Sequence, residues 1–206
     1  MKKYIRKIIP NRLIESYKSL LNIKDWRARG YLGNSPQFIK QSVFIKYGIS
    51  GAKWVETGTY LGTTTRFLSK ISPHVYSIEP SKELYNKALE RFKGFNVTLF
   101  NDVSENSLYE LLPTLNGDIN FWLDGHYSAG ITFKGKTDCP VEHELKAIET
   151  NLTNFTKLTI LIDDVRCFLP TTKNEDYPSI DYLVDWARRN KMSWTIEHDI
   201  FIIQKA

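Results

Sequence analysis

From Lys53 onward, short apolar stretches with strand-like composition alternate with longer stretches whose apolar residues recur at helical spacing. The strand-like segments are Trp54–Glu56, Val75–Glu79, Val97–Phe100, Ile119–Asp124, Leu158–Asp163, Ser193–His198 and Ile200–Gln204. The periodicity predicts helices over Thr63–Ile71, Lys82–Phe92, Ser104–Leu115, Pro140–Leu152 and Ser179–Lys191. Ser81 precedes the second of these, and Asp102 or Ser104 the third; their side chains can accept from a first-turn N–H. Such alternation implies an α/β fold, with a mostly parallel sheet covered by helices on both faces. The last two strands are joined by little more than Asp199, so they form an antiparallel hairpin at one edge. Seven strands with an antiparallel last strand are expected, rather than the six of the dinucleotide-binding fold.

Ahead of this core, Ile14–Ala28 reads as a helix with Leu13, Tyr17, Leu20 and Leu21 at helical spacing, and Gln37–Tyr47 reads as another. Gly48 and Gly51 interrupt the chain before the first strand. The expected organisation is an N-terminal helical extension over 1–49 and one domain over 50–206.

Composition narrows the class. Of 206 residues, 42% are hydrophobic and 13% aromatic, which excludes wholesale disorder and suits one full-sized core. No apolar run approaches the roughly 20 residues that cross a bilayer, and no signal-peptide apolar region stands at the N-terminus. Two cysteines, Cys139 and Cys167, do not make a disulfide framework, so a cytoplasmic protein is expected. Of the net charge of +5, Lys2, Lys3, Arg6, Lys7 and Arg12 fall in the first dozen residues, interleaved with Tyr4, Ile5, Ile8 and Ile9. That leader suits peripheral contact with anionic lipid or a polyanionic sugar-phosphate; its plainer reading is a solvated segment docked on the domain. No basic run interleaved with aromatics recurs, so nucleic acid is not expected as a partner.

The chain is organised around Trp54-Val55-Glu56-Thr57-Gly58-Thr59-Tyr60-Leu61-Gly62, a strand, a turn and the start of a helix. Glycine lets the turn close tightly and approach a ligand, and the helix behind it offers N–H groups and a positive dipole end. G-x-G-x-x-G is absent and no lysine follows Gly62, so neither the dinucleotide fingerprint nor the P-loop fits. The stretch instead resembles the [D/E]-x-G-x-x-x-G motif of class I S-adenosylmethionine (SAM) dependent methyltransferases, with Glu56, Gly58 and Gly62 in place and Thr59 inside the turn. The resemblance implies a Rossmann-like doubly wound sheet and SAM as cofactor.

Acids stand at every strand end that faces such a site: Glu56, Glu79, Asp102, Asp124, and Asp163 with Asp164. A carboxylate at Glu79 can accept both hydroxyls of a ribose; its position matches the family's ribose-binding acid, the alternative being a helix N-terminal acid before Ser81. Asp102 resembles the acid that contacts the adenine amino group, with a plain helix cap as its alternative. Asp124, Asp163 and Asp164 match the positions that hold one divalent cation in catechol- and macrocin-type O-methyltransferases. Mg²⁺ takes hard oxygen ligands and leaves room for substrate oxygens, and a metal-bound hydroxyl loses its proton readily. Asp163 and Asp164 are adjacent and need not both point inward.

His126, two residues past Asp124, titrates near neutral pH and suits a general base, a metal ligand or a plain loop residue. The segment 127–139 shows no regular pattern and reads as a loop that closes over substrate, with Lys134 and Lys136 able to meet phosphate or carboxylate. A zinc site from Cys139, His143 and His126 lacks the tight paired spacing zinc sites show, and both cysteines read as ordinary small buried residues. Arg166 either offsets the acidic pair or meets an anionic substrate. Asp124 to Leu145 looks like the corresponding stretch of small bacterial methyltransferases acting on sugars or natural products.

Two functions follow. The first is a SAM-dependent O-methyltransferase, assisted by Mg²⁺ or another divalent cation, acting on a hydroxyl of a small molecule, with Asp124 and His126 in the catalytic roles. The second is a non-catalytic SAM- or nucleotide-binding module that docks on a membrane or sugar-assembly complex. The extension over 1–49 would cover substrate or join two copies in a homo-oligomer.

Overall fold

The structure, a computed structural model, describes residues 11–31, 33–125, 139–171 and 176–205, with backbone alone over 11–19. His126, Lys134, Lys136 and the basic leader through residue 10 lie outside the described residues.

The helices are α1 (Asn11–Ala28), α2 (Gln37–Tyr47), α3 (Thr63–Ile71), α4 (Lys82–Arg91), α5 (Ser104–Leu111), α6 (Val141–Thr150) and α7 (Ile180–Arg189). The strands are β1 (Lys53–Thr57), β2 (Val75–Ile78), β3 (Val97–Phe100), β4 (Gly117–Leu123), β5 (Phe155–Ile162), β6 (Ser193–Glu197) and β7 (Ile200–Lys205). They form one seven-stranded sheet in the order β3-β2-β1-β4-β5-β7-β6, in which β7 runs antiparallel to both its neighbours. The expected Rossmann-like doubly wound sheet with an antiparallel last strand is therefore present. Its order reverses between β1 and β4, where open α/β sheets hold their ligands.

Period-two alternation sorts the strands onto two buried faces. Val55, Phe121, Ile160 and Ile203 face a core closed by Leu108, Leu145, Ile148 and Trp186 from α5, α6 and α7. Trp54, Trp122, Leu161 and Ile202 face the other core, closed by Val43 and Phe44 of α2 and Leu68 of α3. Phe44 meets the ring of Trp122 edge-on at 4.7 Å and that of Trp54 at 5.6 Å. Such burial contributes about 1.5–3 kcal/mol per large side chain before entropy is subtracted.

The sheet also binds the C-terminal end of α2 through polar groups. Asn120, fully buried in β4, accepts from the Ile49 N–H at 2.8 Å and donates to the Ile49 carbonyl at 3.0 Å. Thr159 and Gln204 donate to the Tyr47 carbonyl at 3.1 and 3.2 Å. A buried backbone group without such partners is costly, so these side chains fix where α2 lies.

Element ends differ from the pattern where local chemistry intervenes. The third core helix leaves α-geometry at Leu112, where Pro113 cannot donate to the preceding turn, and finishes as a 3₁₀ turn over Leu112–Thr114. β5 begins three residues early because Phe155 is buried although Thr156 and Lys157 are exposed. The β6–β7 hairpin turns on His198 and Asp199, both at positive φ, as the twist of a tight hairpin requires.

Candidate functional site

The loop after β1 is built by close approach. Gly58 has φ of 85°, and a Cβ there would lie 2.5 Å from the Asp124 carbonyl, so only glycine lets this turn pass the end of β4. Gly62, at φ of 70°, starts α3 with no side chain capping it. A Cβ at Gly62 would stand 2.7 Å from the Phe92 ring. The helix end therefore presents its first N–H groups over the crevice, which suits an anionic or polar ligand.

Glu56 does not face that crevice. Its fully buried carboxylate accepts from Thr65 and Ser77 hydroxyls, each at 2.6 Å. Ser77 thereby commits its hydrogen, so Thr59, 2.6 Å away, donates to Ser77. Thr59, Ser77, Glu56 and Thr65 form one chain tying the loop, β2 and α3 to the end of β1. Burial, more than the nearby charges of Asp124 and Glu79, pushes the Glu56 carboxyl up to about 8 against the pull of the two hydroxyls. It is protonated at neutral pH and acts through the loop it holds.

Glu79 sits just past β2 and is buried, with one oxygen accepting from the Tyr60 N–H at 2.7 Å and the other from the Ser81 N–H at 2.9 Å. Burial raises its carboxyl above the usual range, opposed by those two N–H groups. Each oxygen keeps a further lone pair, so a ribose can still be held there. Tyr60 is at φ of 47°, a left-handed conformation stabilised by its bond to Glu79. Asp102, by contrast, is exposed: its carboxylate accepts from the Val103 N–H at 2.7 Å and from Asn106 at 3.2 Å, both local bonds at the start of α5. Its neighbour Asn101 joins the strand ends, donating to the carbonyls of Glu79 at 2.9 Å and Pro80 at 3.2 Å.

At the ends of β4 and β5 the acids meet cations. Asp124 is half-buried, its N–H bonded to Thr57. Asp163 is buried and pairs with the ammonium of Lys40, which α2 delivers from 123 residues earlier. Asp164 adopts φ of 58° and pairs with Arg166, whose guanidinium also binds Asp199 and Asn34. Burial pushes Asp163 up, joined by the charges of Asp124 and Asp164 and opposed by Lys40. Burial works to lower Lys40, but the three acids together hold it above its ordinary value. The ammonium thus stays charged.

Nothing in the described structure supports the Mg²⁺ site expected from Asp124, Asp163 and Asp164. Among the described residues, no three of His, Cys, Asp and Glu come together as a metal-holding group. The physical reason is visible in the pairing: Lys40 answers Asp163, and the left-handed turn at Asp164 directs that acid to Arg166. Cys139 is buried, and its thiol is pushed up to about 12 chiefly by that burial, which disfavours the thiolate. Lys40 was missed in the sequence, although a signal existed. It occupies the stripe 40, 43, 44, 47 of α2, a charged residue where helical spacing places an inward one.

No family model and no curated protein matches the chain in sequence. Solved structures do share its fold. SMU.1697c from Streptococcus mutans, in complex with SAH, is 15% identical, covering 84% of this chain and 98% of its own, with a TM-score of 0.51. The 23S rRNA methyltransferase ErmE is 14% identical over 84% of this chain and 68% of its own, with a TM-score of 0.52. Aeropyrum pernix fibrillarin, with natively bound S-adenosyl-L-methionine, is 13% identical over 81% and 74%, with a TM-score of 0.50. The exclusion of nucleic acid as a partner, and with it the commitment to a small-molecule acceptor, is overturned by the rRNA methyltransferase among these structures. A fold shared with such an enzyme gives no ground for the exclusion, whatever the spacing of basic residues. Among the described residues, no helix is long and apolar enough to cross a membrane.

Proposed function

We propose that this chain is a SAM-dependent methyltransferase. The observation that carries the reading is the fit of the β1 loop to a nucleoside. Gly58 lets the turn pass tightly against the end of β4, α3 opens uncapped, and Glu79, just past β2, keeps a lone pair on each oxygen that suits ribose hydroxyls. Structures of the same fold solved with SAM and SAH support it. Bound SAM supplies an electrophilic methyl group on a sulfonium.

The chain's own residues do the rest. Gly58 and Gly62 shape the loop, the buried Thr59–Ser77–Glu56–Thr65 chain keeps it in place, and Glu79 holds the ribose. The acceptor approaches over the ends of β4 and β5, beside Asp124, Asp163 and Lys40. Methyl transfer asks chiefly for orientation and a nucleophile free of its proton. Asp124 is the candidate to orient an acceptor hydroxyl and His126, two residues on in the sequence, the candidate to take its proton.

Calorimetry with SAH tests the cofactor. Wild type binds SAH, and Glu79→Ala weakens it at least about tenfold, or about 1.4 kcal/mol. Equal binding by the variant would remove Glu79 from the site; no binding by folded wild type would overturn the reading. Transfer of labelled methyl from SAM to ribosomal RNA and to other acceptor pools then identifies the acceptor.

A further inference from the structure

We infer that Lys40 is the resident cation at the ends of β4 and β5, so that these acids work without a divalent metal ion. Its ammonium bonds Oδ2 of Asp163, with the lysine side chain 11% and the aspartate side chain 2% exposed. Asp164 beside it is paired by Arg166, and the charge of Asp124 also favours the Lys40 ammonium.

Lys40 is not a surface side chain that happened to fall inward. It lies 5.5 Å from the centre of the Trp122 ring, a favourable place for a cation. Its helix is fixed on both sides of it: Gln37 donates to the Thr64 hydroxyl at 3.0 Å, and Val43 and Phe44 are buried against the sheet. The clasp between Ile49 and Asn120 secures the chain beyond. The root of the Lys40 side chain is therefore held by a packed helix.

A divalent ion has little room for entry in charge terms. Lys40 already holds Oδ2 of Asp163; Oδ1, buried and without a hydrogen-bond partner, is the oxygen left. A metal on Oδ1 would put two cations on one carboxylate. Asp164 already pairs with Arg166. The position that the metal-dependent resemblance gives to an ion is thus filled by a side chain from the N-terminal segment. This cation assignment rests on geometry alone; only its bearing on methyl transfer rests on the methyltransferase reading.

The test is Mn²⁺ binding, followed by the electron paramagnetic resonance of the free ion. Wild type at millimolar Mn²⁺ is expected to show no site. Lys40→Met exposes the acids and is expected to gain one, bound at least about tenfold more tightly than any wild-type binding. Adding Asp163→Asn to Lys40→Met removes it, and Lys40→Arg, which keeps the charge, never gains it. Lys40→Gln, whose amide can still bond Asp163, serves if the methionine variant does not fold. A wild-type site lost in Asp163→Asn overturns the proposal, as does the absence of Mn²⁺ binding by a folded Lys40→Met or Lys40→Gln. SAH binding is measured on the same samples. If wild type binds neither SAH nor Mn²⁺, the methyltransferase reading fails while the cation assignment stands.

Discussion

The two halves of the strand-end crevice solve one electrostatic problem in different ways. At β1 and β2, the acids Glu56 and Glu79 are met by neutral donors, the hydroxyls of Thr65 and Ser77 and the N–H groups of Tyr60 and Ser81. At β4 and β5, Asp163 and Asp164 are met by full charges, Lys40 and Arg166. Neutral donors leave a buried carboxyl free to keep its proton, and Glu56 does. Cations hold a carboxylate ionised only where their charge outweighs burial and like-charge repulsion. The first half is a cradle of neutral donors; the second is a cluster of paired charges.

The cradle breaks most completely at Gly58. Alanine there must take φ near 85° with its Cβ 2.5 Å from the backbone of Asp124, so the β1 loop and the end of β4 cannot both stay in place. Gly58→Ala is expected to cost about 4 kcal/mol or more in urea unfolding, with SAH binding lost. Retained stability and binding would mean that the two strand ends are less tightly joined than the structure has them.

Next comes the charged half. Lys40→Met leaves Asp163 buried without its partner and is expected to cost about 3–5 kcal/mol, whereas adding Asp163→Asn recovers most of the loss. The cycle of single and double variants isolates the pair. The cost of the single variant should shrink as pH falls through about 7, where Asp163, pushed up to about 7 chiefly by burial and higher still without Lys40, accepts a proton instead. A loss that ignores both pH and the second substitution would trace to packing of the lysine stem rather than to its charge.

This difference also decided what the sequence disclosed. Glu56, Gly58 and Glu79 find their partners in the β1 loop, in α3 or on an adjoining strand, so motif spacing and strand order go far toward locating them. Alternation likewise disclosed the order of strands and helices, because each sheet face is buried and each strand repeats with period two. Lys40 reaches Asp163 across 123 positions from a helix that resembles no motif, and its spacing only hinted at an inward face. Arg166 stands two residues past its partner Asp164, but in the sequence Asp163 gave no sign of the cation that pairs with it, Lys40. Asn120 is similar: a polar residue in the middle of an apolar strand makes sense only once the Ile49 backbone lies against it.

Glu56 makes the stability of the β1 end depend on pH. Its folded carboxyl titrates near 8, above the unfolded value of 4.5, so the folded state binds the extra proton between them. Stability linked to this group is therefore full below pH 4.5 and is lost as pH rises toward 8. Glu56→Gln stays neutral throughout and should flatten the fall in melting temperature across that window, gaining on the order of 3 kcal/mol over wild type at pH 7. An unchanged slope would mean that other groups dominate the window.

Asp102 should show the smallest effect, and it separates the cradle from its surroundings. Its carboxylate is exposed and bonded to Val103 and Asn106, a local arrangement at the head of α5. Asp102→Ala is expected to cost about 1 kcal/mol or less, the ordinary loss for a helix-terminal acceptor. SAH affinity should stay within about threefold, under 0.7 kcal/mol, because Asn101, not Asp102, ties the end of β3 to that of β2. A much larger fall in affinity with stability unchanged would bring Asp102 to the adenine, and would require its side chain to leave Asn106 when the nucleoside binds.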